Sequence, residues 1–79
     1  MNYAQMLNNM TDQLDHIIQV MKTEEQKDNV SAINILRCIG EQNITVTSEF
    51  ITYLDNSIVK ETYYLTVSKF YETYNTFFG

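Results

Sequence analysis

DNVSAINILRCIG, residues 28–40, has polar side chains beyond its opening Asp28-Asn29 only at Ser31, Asn34 and Arg37, each three residues from the last. Wound as a helix, those three form one narrow row, while Val30, Ala32, Ile33, Ile35, Leu36, Cys38 and Ile39 cover the remaining surface. A helix that is apolar on most sides is buried on most sides. Gly40 then reads as the residue just past the helix end, where a left-handed conformation costs glycine little. The stretch is therefore expected to be the core of a small all-α fold, with the flanking segments as its cover.

Working towards the N-terminus, Tyr3, Leu7, Met10, Leu14, Ile17 and Met21 alternate spacings of four and three, which is the stripe of a heptad repeat. Met6 and Ile18 widen the stripe, and Gln5, Asn8, Asn9, Asp12, Asp15, His16 and Gln19 fall on the opposite side. A helix over residues 3–22 follows. Residues 22–29, KTEEQKDN, carry no apolar side chain; Thr23 and Gln26 fit a capping box, so the second helix is expected to start between residue 24 and residue 29 and to end at 39. Towards the C-terminus, Thr45, Val46 and Thr47 with Ile44 make four consecutive β-branched residues and predict an extended connector. A short helix at 48–55, carrying Phe50, Ile51 and Leu54, precedes turn-forming Asp55-Asn56-Ser57.

The last segment has the clearest periodicity. At 100° per residue, Val59, Tyr63, Tyr64, Val67, Phe70, Tyr71, Tyr74, Phe77 and Phe78 share one arc of about 140°. Thr62, Thr66, Ser68, Lys69 and Thr73 are assigned to the far side with Glu61, Glu72, Asn75 and Thr76. A helix over 59–78 results. The alternative is an α+β fold in which strands near 44–54 and 58–67 pair as a hairpin turning at Asp55-Asn56. The expectation is one domain, residues 1–79, built as a three- to four-helix bundle.

A chain of 79 residues buries a modest share of its surface, and its single cysteine and single histidine allow neither an internal disulfide nor a structural zinc site. Self-association is the remaining source of stability, so a homodimer is expected. The net charge of −5 and pI near 4.5 disfavour attraction to phosphate backbones or anionic membranes. No apolar run reaches the roughly eighteen residues of a membrane span. Cys38 within an apolar helix reads as a small core residue in a reducing compartment, and the chain as soluble and cytoplasmic.

Chemistry is hard to find. One histidine would have to serve any triad alone, there is no glycine-rich phosphate loop, and no cofactor or metal motif is present, so no catalytic residue is assigned. The aromatic arc is wider than one neighbouring helix covers, and Tyr64, Tyr71 and Phe78 at one edge are the residues expected to touch another chain, whether a partner or a second copy.

The leading expectation is a non-enzymatic, acidic protein-binding module: an inhibitor, an antitoxin-like partner or an adaptor, of the kind phages and other mobile elements carry. In a sharper form Asp12, Asp15, Glu24, Glu25, Asp28, Glu61 and Glu72 stand in for phosphates in the groove of a nucleic-acid-binding enzyme. One alternative is a dimeric helix-turn-helix regulator reading DNA with Lys60, Thr62 and Lys69, although basic charge is scarce there and no arginine is available for guanine. Another is a structural subunit of a larger assembly.

Overall fold

A computed structural model of the protein describes residues 2–78. Three long helices, α1 (Tyr3–Gln26), α2 (Val30–Ser48) and α3 (Ser57–Phe78), run up, down and up, with one 3₁₀ turn at Ile51–Tyr53 between the last two. The fold is all-α. Among the described residues none is extended into a strand, so the hairpin over 44–67 does not form; that stretch is the end of α2, the 3₁₀ turn and the start of α3.

Polar caps define the helix starts. Asn2 accepts a hydrogen bond from the Gln5 amide at 2.7 Å, Asn29 from that of Ala32 at 3.2 Å, and Asn56 from that of Val59 at 3.2 Å. Each satisfies a backbone donor that the first turn leaves without a helical partner. No break occurs at Lys22-Thr23: α1 continues to Gln26, and Asp28, with φ of 54°, makes the reversal in the left-handed region before Asn29 caps α2. Aspartate tolerates that conformation better than most residues with a side chain.

The centre of the molecule is α1, which packs closely along both other helices, whereas α2 and α3 approach each other less closely and meet mainly through side chains. Leu7, Leu14, Ile18 and Met21 of α1 are essentially fully buried. The expectation that α2 is the core is thereby corrected. Of its apolar residues only Ile33 is fully buried; Val30, Ile35, Cys38 and Ile39 are exposed. Its buried residues, Ile33, Gly40, Asn43 and Thr47, share one face, against which α1 and α3 both pack, and the opposite face is left outside.

Gly40 does not end α2. It lies in the middle of the helix, with no positive φ, against the Phe70 ring, which a β-carbon at position 40 would overlap. The connector expected at 41–47 is helical for the same reason: Gly40, Asn43 and Thr47 are buried against the other helices, and this packing overrides the β-branched preference of the segment. Two of its threonines also turn their hydroxyls back onto the helix, Thr45 to the Glu41 carbonyl and Thr47 to that of Asn43. The helix expected at 48–55 shrinks to the 3₁₀ turn, yet Phe50, Ile51 and Leu54 are buried there and close one end of the bundle, with Tyr3 stacked on Phe50 at 5.9 Å.

The buried face of α3 is also rotated from the aromatic arc. Tyr63, Thr66, Phe70 and Thr73 form it, although Thr66 and Thr73 were assigned to the far side. Their hydroxyls donate to the carbonyls of Thr62 and Lys69, so each enters the core as a small side chain without an unsatisfied donor. Small residues on that face leave room for α1, which is the closest neighbour of α3.

Candidate functional site

One buried polar cluster ties the three helices together. The Asn43 amide of α2 donates to the Met10 carbonyl of α1 at 3.0 Å and accepts from the Tyr63 hydroxyl of α3 at 2.9 Å. Thr47 lies beside it, 1 % exposed. Burial raises the Tyr63 pKa above the ordinary tyrosine value, Tyr64 and Tyr71 add to the rise, and the Thr47 hydroxyl opposes it. The phenol stays neutral and serves as a hydrogen-bond donor. Asn43 falls within the connector that the β-branched run predicts and so carries no signal there; the signal for it is its place, with Ile33, Gly40 and Thr47, on one face of a helix continued past Gly40.

Around this centre the rotation of α3 turns Tyr64, Tyr71 and Phe78 outward, 54 %, 39 % and 45 % exposed, in a row with one residue every seven. Their rings lean on buried or half-buried neighbours: Tyr64 is 6.2 Å from Tyr63, Tyr71 is 5.1 Å from Phe70, both edge-on, and Phe78 is 4.6 Å from Tyr74. Contacts of this kind hold aromatic rings in place at little entropic cost on binding. Next to the row, Ser57, Lys60, Glu61, Tyr64, Leu65 and Ser68 line an open groove of about 360 Å³. Leu65 in this lining and Ile58, which follows Ser57 in the chain, are exposed.

The acidic candidates are distributed over α1, the reversal after it and α3. Asp12 and Asp15 lie exposed on the outer side of α1. Glu24 and Glu25 are in the last turn of α1 and Asp28 in the reversal after it; Glu24 is 3.7 Å from Lys27 and accepts from the Asn29 side-chain amide at 2.9 Å. Glu61 and Glu72 stand exposed at separate points of α3.

Of the residues named for DNA contact, Lys60 is half-buried at the groove, Thr62 donates to the Ile58 carbonyl and Lys69 is exposed. A helix-turn-helix needs a short helix before its reading helix. Residues 48–55 supply one 3₁₀ turn in its place. His16 is exposed on α1. No helix among the described residues is long and apolar enough to cross a membrane. No family model matches the chain, and neither a curated protein nor a solved structure is significantly similar to it.

Proposed function

We propose that the protein is a small, non-enzymatic helical module that acts in the cytoplasm by binding another protein through the outer side of α3. The observation that carries this reading is the row Tyr64, Tyr71 and Phe78, half-exposed and each set against a buried or half-buried ring, beside an open groove that Tyr64 and Leu65 help to line. Tyrosine and phenylalanine are enriched where proteins bind one another, and exposed apolar side chains grouped together mark such surfaces more reliably than scattered ones. Lys60 and Glu61 at the groove would orient the partner, and the exposed Cys38 thiol suits a reducing compartment. An inhibitor, an antitoxin-like partner or an adaptor would all use such a surface.

The test is capture from the native host on immobilised protein, comparing the parent chain with a Tyr64→Ala/Tyr71→Ala variant. A partner retained by the parent is expected to fall at least about tenfold on the variant, as loss of two interface aromatics implies. Equal recovery on both would overturn the assignment of α3. Running the capture at about 50 and about 200 mM salt separates aromatic docking, which changes little, from phosphate mimicry by the acidic residues, which weakens steeply.

A further inference from the structure

On the other side of the molecule, α1 and α2 leave a second apolar surface that the α3 edge does not reach. Ile35, Ile39, Gln42 and Val46 follow one another along α2 at spacings of four, three and four, and Ile35, Ile39 and Val46 are 61 %, 45 % and 50 % exposed. Across from them, α1 contributes Met6, Met10 and Gln13. Two grooves of about 220 Å³ each run between the helices and share Met10, Gln13 and Val46, so they form one continuous trough. Among the described residues, none that lines either groove is charged. The only charged residues of α2, Arg37 and Glu41, pair with each other, and Arg37 lies over the Tyr74 ring at 5.4 Å, towards α3 and away from the trough.

From this we infer that the α1–α2 trough is the surface by which two copies of the chain associate. Charge selects the occupant. Two molecules of net charge −5 repel each other, and a face without charge adds no close like-charge contact to that repulsion. A basic or acidic partner would find no complement here. Gln13 and Gln42 supply amides, which both donate and accept and can therefore pair with the same groups of a second copy across a two-fold axis. At on the order of 500 Å² of exposed trough side chain per copy, a symmetric pair buries on the order of 1,000 Å², below the roughly 1,200 Å² of stable interfaces and within the range of weak ones. The dimer is thus a weak one of helices packed two on two, with the α3 edges left free on the outside.

Sedimentation equilibrium between about 1 and about 500 μM tests this, the range in which an interface of that size dissociates. The parent chain should pass from monomer to dimer. Val46→Glu, and independently Gln42→Glu, should weaken dimerisation by at least about 30-fold, since each places an unpaired charge in the interface. Both positions are exposed, so far-ultraviolet circular dichroism should stay unchanged. Tyr64→Glu should leave the dimer constant within about threefold, as expected of a residue outside the contact. A parent chain that is monomeric throughout, a dimer indifferent to both trough charges, or a dimer dissolved by Tyr64→Glu would each overturn the inference. None of these outcomes depends on whether the α3 edge binds a partner.

Discussion

Phe70→Ala lowers the free energy of unfolding by about 3–5 kcal/mol in a denaturant titration, the cost of emptying a fully buried aromatic site. That is a large part of the 5–15 kcal/mol typical of a domain. Gly40→Ala probes the same contact from the other side. Taken alone, alanine in a helix interior gains about 1 kcal/mol over glycine. Here the added β-carbon overlaps the Phe70 ring, which is 0 % exposed and has nowhere to go, and overpacking of this kind costs about 1–3 kcal/mol or more. The net expectation is a loss. The two positions must also be coupled: Gly40→Ala combined with Phe70→Leu is expected to be less harmful than the sum of the single changes by about 0.5–3 kcal/mol. Strict additivity would mean that α2 and α3 do not meet at this point.

Asn43 is the second position where a single change has a large effect. Asn43→Ala leaves the Tyr63 hydroxyl buried without its acceptor and removes the link to Met10, an expected loss of about 1–3 kcal/mol. Asn43→Asp is expected to be worse at neutral pH, because the introduced carboxylate would face the Met10 carbonyl with no donor between them. Burial would raise the pKa of that carboxyl in the folded state. Its neutral form is then favoured by folding, so the variant is least impaired below about pH 4 and loses stability as pH rises through the raised value.

Tyr63 obeys the same sign rule at the alkaline end. With its folded pKa raised by burial, it contributes stability that is complete below about pH 10 and declines above it. Tyr63→Phe removes that decline while costing about 1–3 kcal/mol at neutral pH through the unpaired Asn43 oxygen. Urea titrations at about pH 4, 7 and 10.5 check all three variants against the parent chain.

Much of this architecture is visible in residue order. The heptad of α1 and the presence of Tyr63 and Phe70 on one side of α3 arise from local periodicity, which neighbouring residues record, whereas the capping box read at Thr23 and Gln26 lies inside α1 and the cap of α2 is Asn29. What residue order conceals comes from long-range contact. Gly40 resembles a helix stop until Phe70, 30 positions later, shows why no side chain is tolerated there. Ile35 and Ile39 resemble core until the packing turns the Ile33, Gly40, Asn43 and Thr47 face of α2 inward and leaves them outside. Thr66 and Thr73 count as polar in any pattern, yet a hydroxyl bonded to the preceding turn is in effect a small apolar group, and this shifts the buried face of α3.

The candidate surfaces divide along the same line. Tyr64, Tyr71 and Phe78 can be picked out because the aromatic arc is too wide for one neighbour. The α1–α2 trough cannot, because Ile39 and Val46 had been placed in a core and a connector. The acidic residues are plain in the composition, but their dispersal over α1, the first turn and α3 is a property of the fold.

The account depends on α3 having two aromatic faces, one that holds the bundle together and one that the bundle does not need. Equilibrium unfolding of a Tyr64→Ala/Phe78→Ala variant beside Phe70→Ala measures this directly. The two exposed rings together should cost about 1–2 kcal/mol, well below the single buried ring at about 3–5 kcal/mol. A double variant that loses as much stability as Phe70→Ala would show those rings to be core, and would leave α3 with no face to offer a partner.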